Sequence, residues 1–232
     1  SNQNKLMKED QYSLLKEKIK SKDFNSVFVL VDENTDKHCL DVFINKSSIE
    51  EYNKIIIKAG EENKNIDTCI QIWKELNLQK ADRKSLLINL GGGVLTDIGG
   101  FVASTYLRGI KFINIPTTLL AQVDSSIGGK TGINTNFGKN LIGSFYQPNI
   151  VISDTQFLKS LSKREIICGY GEILKHSLIQ NKKFFNFLNK NFKKIFLLTS
   201  PFIEKTIYES CKIKKSVVEK DEKEKSLRKI LN

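Results

Sequence analysis

The chain has 232 residues, of which 40% are hydrophobic and 27% are charged. This length and balance are typical of a globular protein with one large domain or two small ones. No apolar run approaches the ~20 residues that a membrane-spanning helix needs, and residues 1–18 lack the apolar core of a signal peptide. We therefore expect no membrane partner.

The net charge of +11 raises the question of a nucleic-acid partner. Only four of the 37 basic residues are arginine, whose planar guanidinium group suits bases and phosphates, and the lysines are scattered. The sequence therefore argues against nucleic-acid binding, while its positive field would attract an anionic small molecule. The four cysteines are widely spaced without a CxxC motif, so we expect reduced thiols in a cytoplasmic protein.

Apolar runs and helical patterns alternate along the first 160 residues. The spacing of Ile66, Ile70, Trp73 and Leu76 predicts an amphipathic helix. We expect strands at 26–31, 42–44, 55–57, 85–90, 112–115 and 149–153, and helices at 65–79 and 94–106. This alternation implies a parallel sheet with right-handed crossovers and with ligands at the carboxyl ends of its strands.

The pattern changes near residue 160, after which no strand is predicted. Residues 163–180, 182–198 and 201–220 have helical patterns instead. The sequence thus predicts two domains. Residues 1–160 would form a Rossmann-like α/β domain with a parallel sheet, and residues 161–232 an all-α domain.

Residues 85–140 contain two glycine clusters. Gly91–Gly93 lie between a predicted strand and a predicted helix, and Gly128 and Gly129 precede Lys130. Glycine lets the backbone approach a diphosphate, and a helix start offers unpaired N–H groups and the positive end of the helix dipole. A plain turn would explain the triplet equally well, since it is not the GxGxxG fingerprint of dinucleotide binding.

The longer sequence around these glycines is more specific. The segments GGGVLTDIGGFVASTYLRGIKFINIPTTLLAQVDSSIGGKTGIN, GKNLIGSFYQP and GYGEILKH resemble the 3-dehydroquinate synthase family. The resemblance runs from about Asp32 to Asn232. It implies a lyase of the shikimate pathway that converts 3-deoxy-D-arabino-heptulosonate 7-phosphate to 3-dehydroquinate and phosphate. It also implies the route, namely transient oxidation by NAD, phosphate elimination, reduction and aldol closure, with zinc or cobalt as the metal.

The resemblance assigns several residues to NAD. Asp32 would contact the nucleotide, and Asp97 would contact the nicotinamide end. Glu61 and Lys64 would contact the adenosine half, while Ala59 replaces a usual aspartate, so one polar contact is expected to be lost. The other implied cofactor contacts are Gly92, Gly93, Val94, Thr117, Thr118, Lys130, Lys139, Phe157 and Leu158.

Structural explanations stand beside these assignments. Asp32 would also serve as a solvated turn residue, and Asp97 would be stabilised by the dipole of the helix that it begins. Thr117 and Thr118 would form ordinary turns in which the hydroxyl bonds the backbone.

Glu172 is the implied zinc ligand, and Lys175, three residues later on the same helix face, is an implied substrate contact; a surface ion pair is the alternative. His176 points about 100° away from Lys175 around the helix and receives no role. Arg108 would reach the substrate phosphate across a homodimer. The other implied substrate contacts are Asp124, Lys130, Asn140, Lys214, Glu224 and Arg228.

The chain ends at Asn232, where the family continues with histidines that supply further zinc ligands. A catalytic zinc takes about three protein ligands, so we expect the others beyond Asn232, and we expect these residues alone to turn over little. Three alternatives stay open. They are another NAD- and metal-dependent sugar phosphate cyclase, an alcohol dehydrogenase of similar fold, and an NAD-binding protein without activity.

Overall fold

The computed structural model describes residues 8–220, which divide into two compact units. Unit 1 comprises the residues up to Pro116 together with Gly129–Asp154, and unit 2 comprises Thr117–Gly128 together with the residues from Thr155 onward. The described strands are β1 Ser26–Asp32, β2 Asn53–Ile57, β3 Ser85–Gly91, β4 Lys111–Pro116, β5 Lys130–Thr135, β6 Gly138–Phe145 and β7 Ile150–Val151. The described α-helices are α1 Lys8–Lys20, α2 Glu33–His38, α3 Leu40–Ser47, α4 Ile66–Leu78, α5 Gly93–Thr105, α6 Lys163–Gln180, α7 Lys182–Phe196 and α8 Phe202–Lys220.

Five strands of unit 1 form a parallel sheet in the order β2-β1-β3-β4-β7. All seven residues of the central strand β3 are buried, as expected of a strand covered on both faces. At the carboxyl edge, Asp32 pairs with Ile57 and Gly91 pairs with Pro116. The predicted parallel α/β sheet is confirmed, and its carboxyl edge carries the residues assigned to the nucleotide.

The predicted strand at residues 42–44 is wrong. These residues lie inside α3, where the buried Leu40, Phe43 and Ser47 follow the spacing of one helix face. A short apolar run does not by itself distinguish a strand from a helix. The strand predicted at 149–153 is present but is reduced to the two residues of β7.

The antiparallel hairpin of β5 and β6 is a second difference from the predicted elements. Its register pairs Lys130 with Phe145 and is irregular between Ile133 and Thr135. Glycines bring its two backbones close together, since a Cβ on Gly143 would lie 2.1 Å from the Thr131 carbonyl oxygen. The hairpin matters for function because it carries three predicted site residues, Lys130, Lys139 and Asn140.

A buried polar contact attaches α1 and α3 to the end of the sheet in unit 1. Asp154, which is fully buried, accepts hydrogen bonds from the Tyr12 hydroxyl at 2.9 Å and from Lys46 Nζ at 2.7 Å. Burial, together with the nearby Asp154 carboxylate, raises the pKa of Tyr12. The protonated tyrosine therefore remains the donor of this contact.

Unit 2 is helical, in agreement with the predicted all-α part. Its apolar core includes Leu119, Val123, Leu158, Ile173 and Ile207. The segment after β4 packs tightly on α6, because a Cβ on Gly169 would lie 2.6 Å from the Leu119 Cβ. A π-helical turn, Ala121–Ser125, lies within this segment, and such turns are frequent at functional sites.

Two further observations concern the described residues as a whole. None of their helices combines the length and the apolar character needed to cross a membrane. The four cysteines are free thiols, as the sequence predicted.

Candidate active site

The glycine turn of unit 1 connects the end of β3 to the start of α5. Gly92 is the N-cap of the 13-residue helix, and no side chain caps its first N–H groups. A Cβ on Gly91 would lie 2.9 Å from the Leu95 side chain, so the turn depends on glycine. Free N–H groups and the positive end of the helix dipole fit the diphosphate of NAD.

A buried lysine connects the helix after this turn to the hairpin. Lys64 Nζ donates to Asp97 Oδ2 at 2.8 Å and to Asn140 Oδ1 at 2.6 Å. The lysine is only 4% exposed. The structure therefore brings together three residues, all in unit 1, that the resemblance had assigned to the adenosine half, the nicotinamide end and the substrate.

Asn134, which had no predicted role, extends this network along the hairpin. Its side chain donates to Glu61 Oε1 at 2.9 Å and accepts from the Asn140 backbone N–H at 3.0 Å. Its own backbone N–H donates to the Lys64 carbonyl at 2.8 Å. Asn140 has a φ of 55°, a value that asparagine tolerates better than most residues. The network holds the hairpin against the segment that contains Glu61 and Lys64.

Two predicted cofactor residues, Asp32 and Thr118, make the local structural contacts that the sequence analysis gave as alternatives to cofactor binding. Asp32 caps α2, because its Oδ1 accepts from the N–H groups of Asn34 and Thr35, both at 2.8 Å. Thr118 Oγ1 accepts from the Ala121 N–H at 3.1 Å in unit 2. These contacts leave the cofactor assignments as predictions, since a carboxylate accepts more than one partner.

In unit 2, four predicted site residues from three separate segments form one cluster. Asp124 lies in the π-helical turn, Glu172 and Lys175 lie in α6, and Lys214 lies in α8. Lys214 Nζ binds Asp124 Oδ1 at 2.5 Å, and its side chain is only 6% exposed. Lys175 Nζ lies 3.8 Å from Glu172 Oε1. The cluster therefore combines two cations with two carboxylates.

His176 belongs to the same cluster, and the sequence prediction missed it. Its Nε2 lies 3.4 Å from Glu172 Oε1, within ion-pair distance, and among the described residues these two buried atoms have no polar partner closer than that, since Lys175 Nζ lies 3.8 Å from Glu172 Oε1. The angle of about 100° between His176 and Lys175 around the helix had wrongly suggested that His176 lies away from the site. The informative spacing is the four residues that separate His176 from Glu172, which places the two side chains on one helix face.

The electrostatics of the cluster keep Glu172 ionised. Burial alone would raise the pKa of Glu172, but the neighbouring His176 and the charges of Lys175 and Lys214 outweigh burial, so the pKa is lowered. A carboxylate with a lowered pKa is deprotonated at neutral pH, and this is the form that binds a metal.

These residues fit a divalent metal. Asp124, Glu172 and His176 each offer a ligand atom, and these atoms lie within 4.8 Å of one another. Carboxylate oxygen and imidazole nitrogen are ligands that zinc takes. Glu172 Oε1 and His176 Nε2 are both buried and lie 3.4 Å apart, so the same two atoms are placed to form an ion pair or to share a cation.

The remaining predicted residues differ in exposure. Arg108 and Lys139 are exposed, whereas Val94, Gly93 and Lys130 are partly buried. Thr117, Phe157 and Leu158 are buried, and Leu158 belongs to the apolar core of unit 2. Glu224 and Arg228 lie outside the described residues, and the roles of this whole set stay predictions.

Comparison with known proteins identifies the family. The profile described as 3-dehydroquinate synthase N-terminal matches residues 54–168, and the profile described as 3-dehydroquinate synthase C-terminal matches residues 169–232. The chain belongs to the 3-dehydroquinate synthase family. A 3-dehydroquinate synthase of Pelagibacter ubique is 57% identical to this family member over 210 residues, which are 90% of this chain and 57% of the relative. The chain thus spans just over half the length of that relative.

Solved structures agree with this assignment. The structure of ValA, a 2-epi-5-epi-valiolone synthase from Streptomyces hygroscopicus with NAD+ and Zn2+ bound, is similar with a TM-score of 0.80 and 25% identity. The match covers 89% of this chain and 58% of ValA. A 2-deoxy-scyllo-inosose synthase complexed with carbaglucose-6-phosphate, NAD+ and Co2+ gives a TM-score of 0.81 at 25% identity, over 94% of this chain and 60% of that one. The predicted α/β fold followed by helices is therefore that of sugar phosphate cyclases.

Proposed function

We propose that this chain serves the 3-dehydroquinate synthase reaction, which converts 3-deoxy-D-arabino-heptulosonate 7-phosphate to 3-dehydroquinate and phosphate. The observation that carries the proposal is the unit 2 cluster. Asp124, Glu172, Lys175 and Lys214 meet there from the π-helical turn, α6 and α8. Family membership supports the same reaction.

NAD and a divalent metal are the cofactors of the proposed reaction. NAD supplies a transient oxidation of a substrate alcohol, and zinc or cobalt supplies Lewis-acid polarisation of the same oxygen. In unit 1, the N–H groups at the start of α5 bind the cofactor diphosphate, and Lys64 holds Asp97 in place. In unit 2, Glu172 holds the metal as a carboxylate.

The lysines of unit 2 have a separate task, which is to bind and position the anionic substrate. Lys175 and Lys214 supply positive charge beside the Glu172 carboxylate. Elimination of phosphate requires an acidic C–H, and a neighbouring ketone in the substrate provides that acidity. The remaining requirement is that the substrate is held in the correct position. Ring opening and aldol closure then need little beyond a correctly held substrate.

We also propose that the protein acts in the cytoplasm as a homodimer. The turn that presents Arg108 supports the dimer. Leu107, Arg108 and Gly109 have φ values of 50°, 67° and 125°, and Arg108 is exposed. Positive φ values are costly for the two non-glycine residues, Leu107 and Arg108, and strain of this kind is frequent at functional sites. An exposed arginine held in this way suits a substrate phosphate bound by the neighbouring subunit.

A chimeric enzyme tests the proposed reaction. The matching 210 residues of the Pelagibacter ubique relative are replaced by those of this chain. Phosphate release is then measured with 3-deoxy-D-arabino-heptulosonate 7-phosphate, NAD and zinc. We expect phosphate release without accumulation of NADH at steady state, and at least a 100-fold loss of kcat in the Lys175→Ala chimera.

Three outcomes of the same assay would contradict the proposal. Phosphate release from glucose 6-phosphate instead would indicate another sugar phosphate cyclase. Steady accumulation of NADH would indicate an alcohol dehydrogenase. NAD binding without turnover of either substrate would indicate a binding protein.

A further inference from the structure

We propose that Asn134 is a positioning residue of the candidate active site, which holds Asn140 with one end of its side-chain amide and Glu61 with the other. The inference rests on the proposed function, and on the predicted contacts of Glu61 with NAD and of Asn140 with the substrate. Asn134 itself received no role from the sequence. All three residues belong to unit 1.

The hairpin of β5 and β6 is irregular at the point where Asn134 lies. The pairing skips from Ile142 to Gly138 on β6 while β5 advances by two residues, so Asn134 alone lies opposite residues 139–141. Bulges of this kind re-aim side chains and are frequent next to active sites. Asn140 lies in the middle of the extra residues with a φ of 55°. The bulge therefore presents Asn140 in a way that a regular strand would not.

Three hydrogen bonds form a closed ring of Asn134, Asn140 and Lys64. The Asn140 backbone N–H donates to Asn134 Oδ1 at 3.0 Å, and Lys64 Nζ donates to Asn140 Oδ1 at 2.6 Å. The Asn134 backbone N–H donates to the Lys64 carbonyl at 2.8 Å. Asn140 is thus held through both its backbone and its side chain, which stabilises its left-handed conformation.

The side-chain amide of Asn134 matches two partners of opposite kind. Its Nδ2 donates to Glu61 Oε1 at 2.9 Å, while its Oδ1 accepts from the Asn140 N–H. A carboxylate only accepts and a backbone N–H only donates, so this position needs one donor and one acceptor on the same side chain. An ionised aspartate of equal size offers acceptors alone. The amide is therefore the group that both contacts require.

The same ring determines how Asn140 would meet a ligand. Lys64 Nζ is only a donor, so the atom that it binds is the carbonyl oxygen of the Asn140 amide. The Nδ2 donors of Asn140 lie on the other side of that amide, and donors suit the oxygens of an anionic sugar phosphate. Asn140 is exposed, and a side chain that is ordered before binding loses less entropy on binding. Asn134 therefore preorganises Asn140 for the substrate.

An exchange of hydrogen-bonding groups between positions 134 and 61 tests the cofactor side. Asn134→Asp places a second carboxylate against Glu61, so we expect NAD binding by the chain to weaken about tenfold in calorimetric titration. Glu61→Gln supplies a donor to the new carboxylate, so the double variant is expected to bind NAD within about threefold of Glu61→Gln alone. Asn136→Asp, in the exposed turn of the same hairpin, is the matched control for added charge. Its effect is expected to stay below about twofold.

The substrate side is tested in the chimera described above, with NAD at a saturating concentration. Asn134→Ala removes the acceptor of the Asn140 N–H, so we expect the KM for 3-deoxy-D-arabino-heptulosonate 7-phosphate to rise about tenfold. Asn134→Asp keeps that acceptor, so its substrate KM is expected to change less than about twofold. A purely structural role would lower the stability of both variants, measured by urea denaturation, without this separation of the two substrate KM values.

Each other outcome overturns a defined statement. If Asn134→Asp binds NAD as well as Asn136→Asp does, if Glu61→Gln fails to rescue it, or if the chain binds no NAD, the role of Asn134 on the cofactor side is refuted. If Asn134→Ala leaves the substrate KM unchanged, its role in holding Asn140 is refuted, and the proposed reaction stands.

Failure of the proposed function has a different signature. If the unsubstituted chimera releases no phosphate, the proposed reaction fails, whereas the NAD titrations of the chain still decide the contact of Asn134 with Glu61. Circular dichroism identifies any variant that fails to fold. If Asn134→Ala is such a variant, Asn134→Asp and its rescue by Glu61→Gln decide the inference.

Discussion

Each unit contains a buried lysine bound to a carboxylate, yet the two surroundings differ. Lys64 in unit 1 is 4% exposed and binds both Asp97 and Asn140. Lys214 in unit 2 is 5% exposed and binds Asp124. Close to Lys214 lie two buried polar atoms that make no standard hydrogen bond within residues 8–220. They belong to Glu172 and His176.

This difference concerns what surrounds each buried ion pair. Burying a charged lysine is costly unless it is paired, and both units provide that pair. In unit 1 the pairing joins the hairpin to α5 and thereby fixes residues around the predicted cofactor site. In unit 2 the pairing joins the π-helical turn to α8, next to the ionic contacts of Glu172 with Lys175 and His176. Burial of a lysine alone therefore says little about function, whereas the neighbouring groups say more.

The largest effect is expected from breaking the unit 1 network. Lys64→Met removes the buried cation of Asp97 and the donor to Asn140, so we expect the free energy of unfolding to fall by about 3 kcal/mol. Urea denaturation with linear extrapolation measures the change. Lys54→Met is the matched control, because Lys54 forms an exposed pair with Asp36 at 3.1 Å. Such pairs contribute at most about 1 kcal/mol.

Equal losses of unfolding free energy in Lys64→Met and Lys54→Met would contradict the expected difference between a buried and an exposed ion pair. They would mean that the buried network of unit 1 contributes no more than a surface ion pair. A loss of NAD affinity in Lys64→Met without any loss of stability would instead assign Lys64 to the cofactor directly.

A smaller effect separates the two roles of Asp32. Serine caps helices about as well as aspartate, so Asp32→Ser is expected to keep stability within about 0.5 kcal/mol. If Asp32 also binds the nucleotide, the same variant weakens NAD binding about tenfold, or about 1.4 kcal/mol. Calorimetric titration with NAD measures this. Unchanged NAD affinity would leave Asp32 as a helix cap only.

The sequence predicted the parallel sheet well because its buried strands are continuous apolar runs that end in turn residues. The strand predicted at residues 42–44 was wrong because three apolar residues fit the period of a strand as well as that of a helix. Burial of Leu40, Phe43 and Ser47 on one face identifies the helix, but this burial depends on neighbouring elements that the local sequence does not show. The hairpin was missed because its pairing depends on glycines and on contacts with Lys64 and α5 rather than on an apolar pattern.

The candidate site was predictable only in part, for a similar reason. Motifs named Asp124, Glu172, Lys175 and Lys214, and the structure brings these four together. His176 had a usable signal in its spacing from Glu172. Ser210, whose Oγ lies 2.6 Å from His176 Nδ1, had none, because this contact joins two helices that are 34 residues apart at this point. Second-layer residues of this kind are specified by packing, which a local pattern does not contain.

Thermal unfolding of the chain with and without zinc tests the contrast between the two units most directly. A cation that binds only the folded state stabilises it by about 2.7 kcal/mol at a concentration 100 times its Kd. We predict that zinc raises the Tm of the unsubstituted chain and of Asp97→Asn by similar amounts, and that Glu172→Gln abolishes the rise. A rise that survives in Glu172→Gln, or that disappears in Asp97→Asn, would contradict the account.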